Sequence, residues 1–175
     1  MEKKYAVRQM TICGEKLSED FEASNEFRTE LNNLVVKENL TEEQLYNCDE
    51  TGLNFKRLPT KSLVSRNEKS APGFKHSKEK LTVMCFSNAS GMHKLRLLVI
   101  GKSKKPHALK NIAIQALPVS YTNQKNSWMN TDIFKQWFFA EFVPKVEKHL
   151  EEKKLPRQAL LLIDNAPSHP EIEDL

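Results

Sequence analysis

Two short apolar runs that each end in an acid constrain this chain most. Leu45-Tyr46-Asn47-Cys48 leads into Asp49, and Leu160-Leu161-Leu162-Ile163 leads into Asp164. Both have the length and residue types of β-strands. The second is apolar throughout, which predicts a strand buried on both faces. An acid at the C-terminal end of such a strand leaves the core for the crevice where α/β sheets bind their ligands. If the two strands are neighbours, their carboxylates converge on one hard divalent cation. A structural role remains as the alternative, each acid merely ending a strand or capping a turn.

The intervening chain supplies the rest of an α/β order. Residues 18–38 read as a helix, with Ser18 as cap and Ala23, Phe27, Leu31, Leu34 and Val35 on one face. Thr41-Glu42-Glu43-Gln44 has a capping-box pattern and predicts a short helical turn. Gly52 predicts a turn or bulge that ends the first strand at Glu50-Thr51-Gly52. Leu81–Phe86 and Leu95–Ile100, separated by the turn signal Asn88-Ala89-Ser90-Gly91, predict a hairpin closed by a basic loop at Gly101–Pro106. A long helix is expected over 131–153, carrying Phe134, Trp137, Phe138, Phe142 and Val146, with Pro144 kinking or splitting it. Residues 53–79 read as loop, and 107–130 carry mixed signals.

Charge is unevenly placed. Net charge over the 175 residues is +4, yet residues 51–110 hold 14 basic and 2 acidic side chains. A polyanion is the functional reading of that segment, and a solvated lysine-rich surface the structural one. On and beyond the hairpin, Lys94, Arg96, Lys102, Lys104 and Lys105 are the candidate contacts to DNA phosphates. No apolar run approaches the roughly 20 residues of a membrane span, and no signal-peptide core follows the N-terminus. Cys13, Cys48 and Cys85 form neither a zinc pair nor a disulfide framework, and are expected as buried reduced thiols. Glu50 is expected to point away from Asp49 along an extended strand. His169 could face the crevice or make a structural hydrogen bond beside the Pro-containing turn.

Several motifs recur together in one order. Asn47-Cys48-Asp49-Glu50-Thr51-Gly52-Leu53 resembles the first-aspartate motif of the DDE superfamily endonucleases, in the pogo/Tigger, jerky and centromere protein B lineage. Asn88 to Gly91, His93-Lys94-Leu95 and Val99 to Pro106 resemble that family's hairpin. Trp128-Met129, Phe134, Trp137-Phe138 and Phe142-Val143-Pro144 resemble its helix. Leu161 to Pro170 resembles its second-aspartate motif.

The resemblance implies a ribonuclease H-like α/β fold, a mixed sheet with flanking helices, here C-terminally truncated. It implies residues 1–40 as a helical connector following an absent centromere protein B-type helix-turn-helix, and 41–175 as an incomplete DDE endonuclease-like domain. It further implies Asp49 and Asp164 as catalytic acids and Mg²⁺ ligands. The third acid of the family would come after Leu175, leaving the metal site incomplete. The expected partner is DNA, the expected compartment the nucleus, with a homodimer or chromatin proteins as further partners. Three functions follow in order of expectation. The first is a transposase-derived nuclear DNA-binding protein with an incomplete nuclease. The second is an active Mg²⁺-dependent endonuclease in a longer form. The third is a protein-interaction scaffold using Trp128, Trp137 and Phe139.

Overall fold

The computed structural model describes residues 21–56 and 79–170. The chain divides into two compact units, Met1–Leu40 and Thr41–Leu175. In the first, helix α1 spans Phe21–Lys37, with Glu22 in its first turn and Lys37 in its last, as its dipole favours. Ser18, the expected cap, lies outside the described residues, as does Cys13.

The second unit is a five-stranded mixed sheet. Its strands are β1 (Leu45–Leu53), β2 (Leu81–Asn88), β3 (Leu98–Gly101), β4 (Ser120–Asn123) and β5 (Leu160–Leu162), in the order β4-β3-β2-β1-β5. β1, β2 and β3 run antiparallel in sequence; β4 is parallel to β3, and β5 parallel to β1. After β4 come helix α2 (Thr131–Trp137), a π-helical turn (Phe138–Phe142) and helix α3 (Val143–Glu152). Asn130 caps α2, its side chain accepting the Ile133 amide at 2.9 Å. Pro144 has no N–H to complete the ladder, and the wider π turn just before it absorbs the mismatch. The expected helix over 131–153 is thus one continuous helical run whose ladder is widened by a π turn before Pro144.

Period-two alternation sets the core. Tyr46 and Cys48 of β1, Met84 and Phe86 of β2, and Leu98 and Ile100 of β3 are buried on one sheet face. Phe134, Trp137, Phe142, Val146 and Leu150 cover them. The aromatics meet edge-on or tilted, with Tyr46 5.5 Å from Phe142 and Phe86 4.8 Å from Trp137.

Three expectations are corrected here. Glu50-Thr51-Gly52 does not turn: the ladder with β2 continues to Leu53 opposite Leu81. Gly52 is simply the strand residue opposite Thr82. β3 is shorter than expected. Ser87 bridges Lys94 while Met84 pairs with Leu98, so three steps along one strand face four along the other. This bulge-like offset detaches residues 95–97 from the ladder. β5 is half-exposed at the edge of the described sheet, not buried on both faces. β4 had no sequence signal beyond Tyr121 and Thr122, because pairing to β3 across an irregular stretch defines it.

Gln44 closes the turn before β1. Its carbonyl oxygen accepts from the Thr41 amide and hydroxyl at 3.2 and 3.1 Å, and its amide donates to Gln158 O at 2.8 Å. This buried side chain therefore ties the start of β1 to the chain entering β5, and so fixes their parallel register.

Candidate functional site

That register decides the geometry. Asn47 pairs with Leu162; two positions further on come Asp49, in the middle of β1, and Asp164, just beyond the end of β5. Neighbouring strands lie about 4.8 Å apart, close enough for two carboxylates to share one cation. Both line one cleft of about 450 Å³, together with Trp128, Asn130, Thr131 and Ser168. Asp49 is exposed, and its Oδ1 accepts the Glu50 amide at 2.8 Å. Asp164 is exposed too, with Oδ1 accepting the Ala166 amide at 3.2 Å. These local bonds hold one oxygen of each carboxylate.

Glu50 falls on the opposite side of β1 from Asp49, as alternation requires, which puts an acid on the core face opposite Met84. His169 compensates it. Its Nε2 lies 3.2 Å from Glu50 Oε1, and its Nδ1 lies 2.9 Å from both the carbonyl and Oδ1 of Asp164. The ring packs on Phe134 at 4.9 Å. Burial alone would lower the His169 pKa. The bonds to the Asp164 carbonyl and to Glu50, with both carboxylate charges, outweigh it and raise the value. His169 therefore has the structural hydrogen-bonding role, and it links the core-side acid of β1 to the acid after β5.

Cys48 lies beneath these groups. Burial first, then the charges of Glu50, Asp49 and Asp164, push its thiol up to about 12. It stays a protonated core residue. Cys85 is exposed, which corrects the expectation of a buried thiol.

The five expected DNA contacts are all exposed but not gathered in one place. Lys94 lies opposite Ser87, level with Asn47, and Arg96 follows in the detached stretch. Lys104 and Lys105 lie in the loop after β3. Lys102 lines a groove of about 730 Å³ with Lys56, Lys80 and Lys125. Of these Lys125 had no signal, because only the β3–β4 pairing brings it beside Lys102. Trp128 is 48 % exposed, with the Lys80 ammonium 3.9 Å from its ring centroid. Trp137 is 3 % exposed, so it belongs to the core and not to an interaction surface; Phe139 is exposed.

Among the described residues, no group of three or more His, Cys, Asp or Glu side chains could hold a metal ion. None of their helices is long and apolar enough to cross a membrane.

A five-stranded mixed sheet with helices packed on it, and acids from two adjacent parallel segments lining one cleft, is the architecture of a ribonuclease H-like fold. The solved Mos1 transposase paired-end complex with left transposon end shares this fold at a TM-score of 0.52 and 12 % identity, over 98 % of this chain and 44 % of that chain. The chain belongs to the DDE superfamily endonuclease family, whose model matches residues 78–175. That match includes Asp164 but begins after Asp49. The human Jerky protein homolog is 37 % identical over 174 residues, and the human Tigger transposable element-derived protein 7 is 39 % identical over 178. Each alignment covers 98 % of this chain, and 30 % and 32 % of the relative respectively. The mouse Jerky protein is 34 % identical over 174 residues. The chain thus spans about a third of the length of the curated relatives it matches.

Proposed function

We propose that this chain acts on DNA in the nucleus as part of a transposase-derived protein, and that Asp49 and Asp164 form a shared divalent-cation site. The observation that carries the reading is that both line one cleft, each two positions beyond the paired Asn47 and Leu162 of adjacent parallel strands. The donor set suits Mg²⁺, which takes one or two carboxylates and fills its other positions with water or substrate phosphate. When bound, such an ion polarises a phosphodiester and lowers the pKa of bound water.

The chain's own residues do the rest. Asp49 and Asp164 present hard oxygens, the Glu50 and Ala166 amides fix their orientation, and His169 anchors the turn that carries Asp164. Lysines beside the cleft neutralise the backbone of the bound strand. Three acids line the cleft, and Glu50 is engaged by His169, so the function assigned to Asp49 and Asp164 is DNA binding with cation capture. Strand cleavage needs a further ligand from elsewhere in the protein. The solved Mos1 complex, a transposase with its transposon end, supports DNA as the partner class.

Fluorescence anisotropy of a labelled 20-base-pair duplex tests the reading. Micromolar binding that weakens at least about tenfold between 50 and 200 mM salt is expected for several phosphate contacts. No binding, or an affinity independent of salt, would contradict it.

A further inference from the structure

Within the second unit, the acid-lined cleft and the lysine groove meet at one pair of side chains. Trp128 lines the cleft, Lys80 lines the groove, and the ammonium of Lys80 sits over the Trp128 ring. Trp128 is poorly explained as core: it is about half exposed, while its neighbours Ser127 and Met129 are buried. Ser127 O accepts from the buried Thr82 hydroxyl at 2.7 Å, so β2 holds the backbone on which the indole stands. The indole is thus presented on a fixed support beside Asp49 and Asp164.

The groove beyond it has a matching character. Lys56, Lys80, Lys102 and Lys125 line it, and Glu79, its single acid, is bonded to Lys56. Phe55 is 52 % exposed at its wall, and Tyr121 lines it as well. Exposed aromatic faces among backbone-neutralising lysines are what unpaired nucleic acid requires, since every base has a stacking face and every linkage a charge. A duplex keeps its bases stacked on each other and offers the indole nothing to stack on.

We infer that Trp128 is a stacking platform for an unpaired base beside the acid pair, and that the lysine groove carries the single strand leading away from it. The inference rests on the reading of DNA as partner and refines it. The strand enters the cleft locally melted, with one base on the indole and its phosphates along Lys80 and Lys102.

The test uses the whole chain with labelled (dT)₁₂ and a duplex of the same length. The protein has two tryptophans, and Trp137 is buried, so stacking is read as quenching of Trp128. (dT)₁₂ is expected to quench the emission and to bind more tightly than the duplex. Trp128→Ala should weaken (dT)₁₂ binding at least about fivefold, and Trp128→Phe should restore most of it. Duplex affinity should change less than twofold in both. Circular dichroism confirms that each variant folds. Unchanged (dT)₁₂ affinity in both variants, or no quenching in the wild type, overturns the inference. Duplex binding without single-strand binding overturns the stacking role while leaving the proposed function intact. Failure to bind either sinks both.

Discussion

Replacing Gly101 with alanine tests how the sheet supports the groove. A Cβ on Gly101 would overlap the Tyr121 hydroxyl outright and lie 3.0 Å from Cζ and 3.1 Å from Cε2 of the same ring. Tyr121 is not free to yield without loss, because its hydroxyl donates to Ser103 O at 2.6 Å in the loop that carries Lys102. Swinging the ring away forfeits that bond, about 0.5–1.5 kcal/mol. Overpacking strain adds about 1–3 kcal/mol. Restricting the unfolded chain returns about 0.4–1 kcal/mol. The net expectation is a destabilisation of about 1–3 kcal/mol, or a fall in Tm of about 2–10 °C for a chain of this size. Urea unfolding of wild type, Gly101→Ala, Tyr121→Ala and the double variant gives the cycle. With the ring removed, the alanine should be neutral or mildly stabilising, so the coupling should equal most of the Gly101→Ala cost. An equal cost in both backgrounds would refute the steric argument.

Other outcomes follow from the same packing. Phe134→Ala empties the fully buried site between the sheet and α2, and should cost about 3–5 kcal/mol in urea unfolding. Acid sensitivity should centre on His93, which accepts or donates a 2.7 Å bond with Tyr46 and stacks on His149 at 4.1 Å, with Glu43 bonded to the far ring. Burial first, then the His149 charge, lowers its pKa. Its contribution to stability is therefore full above the free value near 6.5 and is lost as pH falls through the lower folded value. Thermal melts from pH 7.5 to 5 should show that loss, and His93→Gln should flatten it. Gln44→Ala removes the tie between β1 and the chain entering β5, and should cost about 1–3 kcal/mol because it leaves polar partners unpaired.

The elements that carry chemistry were legible because their signals are local. The β-forming residues of Leu45–Asp49 and Leu81–Phe86, the apolar stripe ending at Val146, and Pro144 each act within a few residues. Sequence reading stopped where pairing partners decide. Ser120–Asn123 becomes a strand only because β3 lies beside it, and Glu50–Leu53 stays extended because β2 continues opposite. The bulge that shortens β3 has no residue signature. The two acids stood out as strand ends, although β1 runs on past Asp49 to Leu53, and their shared cleft depends on the register that Gln44 helps to set from 114 positions away. His169 was visible, yet its partner Glu50 was set aside because the argument from alternation could not show a histidine arriving on the core side. Lys125 gained meaning only when the fold set it beside the groove, and Trp128, read in sequence as part of a family motif or an interaction surface, only then came to lie beside the acids.

Electron paramagnetic resonance of Mn²⁺ added to the whole chain is the most direct probe of the acid pair. Loss of one bound Mn²⁺ on either Asp49→Asn or Asp164→Asn, with the double variant no worse than either single one, is the predicted result, since both oxygens serve one ion. Wild-type Mn²⁺ binding in either single variant would show that the two carboxylates do not share a site.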